Sequence, residues 1–460
     1  MEQQLILDDA LIAKYDQSGP RYTSYPTAVQ FHEGFTAEDY AAIATGTNAS
    51  GRPLSLYFHI PFCDTICFYC ACNKVATKDR SKGDEYLQRL YREIALQGEL
   101  FDRDRPVEQL HWGGGTPTFI SHGEMRELMR VTGEHFHLLD NDEGEYSIEI
   151  DPREATAETV AVLREIGFNR MSLGVQDFDP RVQKAVNRIQ SEEETLAVLN
   201  AAKAEGFRSV SIDLIYGLPH QTRESFSATL DRVIEVGPDR LSVFNYAHLP
   251  QLFKPQRRIE VAELPPAETK LEILHMTASK LADAGYVYIG MDHFARPDDE
   301  LAVAQREGTL YRNFQGYSTH SNCDLIGMGI TSIGSVGNCY AQNIKGLEEY
   351  YQCIDAGRLP VFRGVKLSKD DELRRDVITR LICHFALDFS AVEQQWDIDF
   401  KAYFETELNS LQNMVGDGLL VVSEEGIQVM PVGQMLIRNI CMVFDAYLKD
   451  SKGQRFSKVI

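Results

Sequence analysis

Residues 54–73 read LSLYFHIPFCDTICFYCACN. The first seven, Leu54–Ile60, form a short apolar run rich in aromatic and branched side chains and closed by Pro61, which predicts a buried strand. The loop that follows carries four cysteines within ten residues, Cys63, Cys67, Cys70 and Cys72. The other five, Cys323, Cys339, Cys353, Cys383 and Cys441, are scattered and read as small core residues. Three chemistries compete for the clustered set. Structural zinc normally takes two well-separated ligand pairs, and no second Cys/His pair follows at a suitable distance. A redox dithiol needs two thiols and leaves the others surplus. Three thiolates spaced Cys63-x3-Cys67-x2-Cys70 can hold three irons of a [4Fe–4S] cube and leave the fourth open to a chelating ligand. Cys72 is cramped for reaching that far corner.

Outward from this loop the strand-then-loop pattern repeats. Apolar segments at Leu54–Ile60, Gln109–Trp112, Tyr146–Ile150, Arg170–Val175, Ser209–Ile215 and Arg240–Asn245 alternate with helical stretches such as EYLQRLYREIALQGEL and RESFSATLDRVIEVG. Such alternation predicts β-α units and a parallel sheet. Gly167, Gly206 and Gly237 stand where each helix should end and turn back into the sheet. Six units give an α/β fold, an open partial (β/α)6 TIM-like barrel two units short of closure, with Tyr286–Met291 as a candidate seventh strand. In barrels the chemistry sits in the loops after the strands. That rule gathers the cysteine loop, Gly113-Gly114-Gly115-Thr116-Pro117, Glu149, Asp151 and Arg153, Gln176 and Asp177, Asp213, and Tyr246, Ala247 and His248. The triple glycine has neither dinucleotide nor phosphate-loop spacing, so it suits an amino-acid-like ligand approached by backbone.

The C-terminal part reads as helix (367–388), helix (399–415), two short strands around a Glu-Glu-Gly turn (418–430) and helix (433–448), a mostly helical, winged-helix-like module. Residues 391–460 carry six basic against ten acidic residues, which speaks against DNA binding. The 460-residue chain has 46 Lys+Arg and 68 Asp+Glu, a net charge of −22. That balance argues against nucleic acid or an anionic membrane as the main partner. The N-terminus MEQQLILDD lacks the charge pattern of a signal peptide, and no apolar run approaches a membrane span. The expectation is a cytoplasmic protein, monomeric because no heptads or repeats are present.

Several motifs now carry a resemblance. LYFHIPFCDTICFYCACNK, with its C-x3-C-x-aromatic-C spacing, resembles the cluster loop of radical S-adenosylmethionine (SAM) enzymes. HWGGGTPT, SIEIDPRE, GVQDF, IDLIYGLP, NYAHLP, GMDHFARPDDELAVAQREG and the arm Gly19–Thr27 (GPRYTSYPT) resemble the oxygen-independent coproporphyrinogen III oxidase (dehydrogenase) family over nearly the whole chain. Shorter haem-trafficking relatives lack that arm, which is present here.

The resemblance implies a [4Fe–4S] cluster held by Cys63, Cys67 and Cys70, and two SAM molecules. It implies contacts to the first SAM at Tyr57, Tyr69, Gly114 and Glu149. Contacts to the second are implied at Gly115, Thr116, Gln176, Arg188, Asp213, Ala247 and Ile333. Tyr69 stands where relatives can carry Phe, and a backbone contact there would tolerate either. The implied reaction splits SAM reductively to a 5′-deoxyadenosyl radical, which takes hydrogen from a propionate β-carbon. Loss of CO2 and one further electron leaves a vinyl group, converting coproporphyrinogen III to protoporphyrinogen IX in porphyrin and haem biosynthesis. The substrate is a tetracarboxylate meeting an acidic protein, so local arginines are required. The candidates are Arg21, Arg296 and Arg312. A flavodoxin-type electron donor is the expected partner. The expected domains are an N-terminal arm covering the active site (1–50), the partial barrel (51–290), a barrel extension and cavity wall (291–365) and the C-terminal helical domain (366–460).

Overall fold

The computed structural model describes residues 5–448 and divides into two compact units. One comprises Gln30–Pro266 and Asn322–Lys366. The other comprises the chain up to Val29, Ala267–Ser321 and the chain from Leu367 on.

The first unit is the barrel. Its strands are β1 (Leu54–Ile60), β2 (Pro106–Gly114), β3 (Glu145–Ile150), β4 (Arg170–Gln176), β5 (Ser209–Tyr216), β6 (Arg240–Asn245), β7 (Asp324–Met328), β8 (Ile333–Val336), β9 (Cys339–Asn343) and β10 (Val361–Lys366). They lie in the order β6-β5-β4-β3-β2-β1-β7-β8-β9-β10. The pairings from β6 through β7 are parallel, and those from β7 through β10 antiparallel. All six expected strands are present within three residues of their expected ends. β7 is an addition: it pairs with β1 on the edge opposite β2, from a position 270 residues later in the chain.

Five helices return the chain between the first six strands: α1 (Ser81–Gly98), α2 (His122–His135), α3 (Ala157–Glu165), α4 (Glu192–Ala204) and α5 (Arg223–Val236). α1 buries Tyr86, Leu87, Leu90, Glu93, Ile94 and Gln97, the three-and-four spacing of a single helical face. α2, α3, α4 and α5 each start with a capping box, for example Ser121 with Glu124 and Ser191 with Glu194. The expected stop signals hold, since Gly167, Gly206 and Gly237 have φ of 102°, 76° and 67°. At the end of the sheet where β2 begins, the buried Arg105 guanidinium donates to Asp324 at 2.5 Å and to the Arg52 carbonyl at 2.6 Å, binding the starts of β1, β2 and β7. β1 is buried on both faces, the pattern of a central parallel strand.

The second unit is mostly helical. Its longest helices, Ala267–Asp283 and Lys369–His384, accompany a three-stranded antiparallel sheet of Ala386–Asp388, Gly426–Val429 and Leu420–Val422. Two strands around a tight turn plus a third make the wing of the expected winged-helix-like module. The segment 399–415, read as one helix, is three short ones broken at Phe404 and Leu411, both wholly buried. Phe404 packs on Phe400 and edge-on against Phe444, and this aromatic stack turns the chain. The candidate seventh strand at Tyr286–Met291 is a strand at Val287–Gly290, paired antiparallel in a hairpin with His293–Ala295. The N-terminal segment is strapped to the helix Ile437–Val443 and the residues just after it: Arg438 donates to the Gly19 and Pro20 carbonyls, Tyr22 to Asp445 at 3.0 Å, and Ala446 N–H to Tyr25 Oη at 3.0 Å.

Candidate functional site

The cysteine loop leaves β1 at Pro61 and is closed by a two-residue parallel ladder, Phe62–Cys63 with Val75–Ala76. Val75 N–H donates to the Pro61 carbonyl and Thr77 N–H to that of Cys63. The ladder makes residues 63–75 one tethered ring. Cys63 and Cys67 are buried, Cys70 is partly exposed and Cys72 exposed, and all are free thiols. Each buried sulfur has polar neighbours. Thr116 Oγ1 lies 3.6 Å from Cys63 Sγ, and Arg188 Nη1 and Arg153 Nη2 lie 3.5 and 3.7 Å from Cys67 Sγ. Burial pushes the Cys63 thiol up to about 11, while the hydrogen bond from Cys72 draws Cys70 down to about 5. A metal bound to these sulfurs would override both.

The glycine loop after β2 lies directly against the cysteine loop. Gly115 N–H donates to the Ile60 carbonyl at 2.8 Å and Thr116 N–H to that of Phe62 at 2.7 Å. All three glycines lie in close contact with their neighbours. A Cβ would meet the Glu149 carboxylate at Gly113 (3.0 Å), the His59 ring at Gly114 (2.7 Å) and the Phe62 carbonyl oxygen at Gly115 (2.7 Å). Gly114 also has φ of 117°, a conformation L-residues avoid. Its N–H donates to Glu149 Oε2 at 3.1 Å, and His111 Nε2 stands 3.5 Å from Glu149 Oε1. The enclosing mouth penalises the Glu149 charge, but these donors outweigh it and hold the carboxyl below its usual value.

Tyr57, on β1, stacks on His111 with ring centroids 5.9 Å apart and an interplanar angle of 12°, and its hydroxyl meets His59 Nδ1 at 3.1 Å. Tyr57 also pairs in register with Gly327 of β7, whose missing Cβ lets the Ile333 backbone approach. After β3, Asp151 accepts from Arg153 at 2.6 Å and from Arg188 at 3.0 Å. Burial alone would raise the Asp151 carboxyl, and the two guanidinium groups reverse that. Arg188 is buried, donates also to the Gly174 carbonyl, and leaves its Nε without a partner. Gln176 ends β4 with φ of 67°. Asp213 accepts from Ser172 at 2.8 Å, and burial pushes its carboxyl up to about 6. The Tyr69 and Ala247 carbonyls share one donor, Gln256 Nε2, at 2.9 and 3.3 Å.

Of the residues expected at the site, the three cysteines and the eleven SAM positions all belong to the barrel unit; Tyr57 and Asp213 lie within strands and the others on the loops and strand ends around them. Arg21, Arg296 and Arg312 belong to the second unit. Arg21 pairs with Asp292 and Arg296 lies 5.2 Å over the Tyr286 ring. Arg312 is buried 4.7 Å over the Tyr317 ring with Nε and Nη1 unpartnered. His59 and His111, which complete the row Tyr57–His111–Glu149, were legible from alternation: residues 57 and 59 share a face of β1, and His111 pairs with Tyr57 in register.

Comparison with known proteins agrees with this arrangement. The radical SAM superfamily matches residues 57–233 and the HemN C-terminal domain matches residues 367–436. The oxygen-independent coproporphyrinogen III oxidase of Pseudomonas aeruginosa is 55% identical over 453 residues, covering 98% of each chain. That of Escherichia coli is 53% identical, covering 100% of this chain and 99% of its own. The solved structure of coproporphyrinogen III oxidase (HemN) from Escherichia coli, described as a radical SAM enzyme, superposes with a TM-score of 0.92 at 52% identity, over 97% of this chain and all of that one. By sequence and fold, the chain belongs to the oxygen-independent coproporphyrinogen III oxidase family of radical SAM enzymes.

Proposed function

We propose that this chain converts two propionate side chains of coproporphyrinogen III to vinyl groups, with Cys63, Cys67 and Cys70 holding the cluster. The observation that carries the assignment is one tethered ring with three thiols, seated against a glycine loop whose Gly115 meets it backbone to backbone. The donor set fits an iron–sulfur cube with an open iron: soft thiolates, free of disulfides, with guanidinium and hydroxyl donors at the sulfurs. When bound, cluster and SAM together supply a one-electron reduction and a hydrogen-abstracting radical.

The chain's own residues bind, orient and shield. Glu149, ionised and facing Gly114 N–H, is placed to accept from the ammonium group of the first SAM, beside Tyr57 and the Tyr69 backbone. Arg188 offers an unpartnered, buried N–H to the carboxylate of the second SAM, in the group Gly115, Thr116, Gln176, Asp213, Ala247 and Ile333. The glycine loop packs backbone on backbone against the cysteine loop, on the side where Cys63 and Cys67 are buried. For the substrate carboxylates, Arg312 is the strongest of the three arginines, because two of its N–H groups are buried without an acceptor. Arg21 would have to exchange Asp292 for a propionate. An electron donor of the flavodoxin type and a monomeric state complete the proposal. Cytoplasmic residence is supported by nine reduced thiols; no helix among the described residues is long and apolar enough to cross a membrane.

The test is an anaerobic assay with SAM, coproporphyrinogen III and dithionite, following methionine, 5′-deoxyadenosine and protoporphyrinogen IX. All three should form. SAM cleavage without vinyl product would remove the substrate assignment.

A further inference from the structure

The chain as a whole is strongly acidic, with 68 acidic against 46 basic residues. Three segments that converge on the cysteine loop run against that balance. Residues 65–78, 180–190 and 246–259 together hold Lys74, Lys78, Arg181, Lys184, Arg188, Lys254, Arg257 and Arg258, and no Asp or Glu. Four acids flank these segments directly, Asp64, Asp79, Asp179 and Glu260; Asp64 is paired with Arg80 and Asp179 with Arg181, which leaves the three segments with a net excess of basic groups. The segments are joined by direct bonds. Phe68 N–H donates to the Val186 carbonyl, Asn187 Nδ2 to that of Ile66 and Gln256 Nε2 to that of Tyr69. Phe68 also packs on a small core of Val182, Val186, Leu218, Tyr246 and Ile259, with the Arg258 guanidinium 5.2 Å over its ring. Lys78, Lys184, Lys254, Arg257 and Arg258 are exposed, and so are Ile189 at 71% and Leu252 at 58%.

We propose that this basic surface is the docking site of an acidic electron-carrier protein. The proposal rests on the reading above that the three thiolates hold a reducible cluster. Charge complementarity selects an anionic partner, because an acidic macromolecule that approaches elsewhere on this chain meets like charge. The exposed Ile189 and Leu252 among the cations favour a protein over a nucleic acid, since apolar contacts at the centre of a charged rim are the make-up of a protein interface. Phe68, Tyr69 and Cys70 are themselves partly exposed, so the ring that carries the thiols is part of the docking face. The carrier is oxidised by one electron and the cysteine-held group reduced by one, with no bond made or broken at the interface.

The experiment compares the holoenzyme with a Lys184→Glu/Lys254→Glu/Arg257→Glu variant and with an equal charge change elsewhere on the barrel unit, Arg103→Glu/Lys203→Glu/Lys366→Glu. Three quantities are read at about 0.1 M salt: the affinity for flavodoxin by calorimetry, the rate of SAM cleavage driven by reduced flavodoxin, and the rate driven by dithionite. The proposal expects the first variant to lose affinity and flavodoxin-driven rate by about tenfold or more while keeping its dithionite-driven rate, and the second to keep all three. Wild-type flavodoxin affinity in the first variant, equal loss in both, or tighter binding of a short DNA duplex than of flavodoxin at the wild-type surface would overturn it. Absence of dithionite-driven cleavage in the wild type would instead overturn the cluster reading.

Discussion

Glu93 is a carboxyl shut away from the protein surface. It lies wholly buried on α1 and accepts from Tyr350 at 2.6 Å, Asn343 at 2.7 Å and Gly329 N–H at 2.8 Å. Burial outweighs these donors and pushes its pKa from 4.5 up to about 7. Between those values the folded chain keeps a proton that the unfolded chain has lost, so stability from this residue falls as pH rises through 7. Glu93→Gln should therefore gain on the wild type between pH 5 and pH 8, by up to about 3 kcal/mol at roughly 1.4 kcal/mol per unit, measured by denaturant titration at each pH. A difference independent of pH would count against a neutral Glu93. The cysteines make a second residue-level case. Ser in place of Cys63, Cys67 or Cys70 should leave iron-poor protein after anaerobic reconstitution, whereas Cys72→Ser should keep about four irons per chain, read by iron and sulfide assay. The three thiols were legible in the sequence because ligand spacing within a loop is a local property. Arg153 was legible as a polar residue at a strand end, but its approach to Cys67 needed β1 and β3 placed two strands apart in one sheet.

At the level of elements, the contact between the cysteine loop and the glycine loop holds the site together. Gly115→Ala would set a Cβ 2.7 Å from the Phe62 carbonyl oxygen and the Pro61 carbonyl carbon, both backbone atoms that cannot swing aside. The expected cost is about 1–3 kcal/mol in the iron-free protein, with reduced iron retention, read by thermal melting and metal assay. The six barrel strands were legible because each is a local apolar run between a helix-ending glycine and a polar loop. β7 was not, because DLIGM is five residues long and its partner β1 is far away in sequence; only the assembled sheet reveals an uncovered edge for it. The segment 399–415 has helical spacing throughout, and what breaks it is the tertiary stack of Phe400, Phe404 and Phe444. Local pattern set the elements, and long-range packing decided where they stop.

Across the whole molecule, a net charge of −22 coexists with the basic face at the cysteine loop. An acidic carrier thus feels repulsion at long range and attraction on contact. Because the screening length shortens to about 10 Å at 0.1 M salt, the long-range term is suppressed first. The association rate with flavodoxin should rise from about 10 mM to about 100 mM salt and then decline, a maximum that stopped-flow mixing would detect; a monotonic fall would mean that the contact field dominates at every range. Motif and composition point to the candidate substrate arginines, but the orphaned donors of Arg312 depend on its burial, which is a property of the folded unit. The way the chain is threaded also has a biosynthetic consequence. The bonds that strap Gly19, Pro20, Tyr22 and Tyr25 come from Arg438, Asp445 and Ala446, more than four hundred positions downstream. At a translation speed of about 5–20 residues per second, the emerging N-terminal segment waits some tens of seconds on the ribosome for its anchors. A nascent chain stopped before residue 438 would leave Tyr22 and Tyr25 without these partners, a form that protein quality control can recognise and clear.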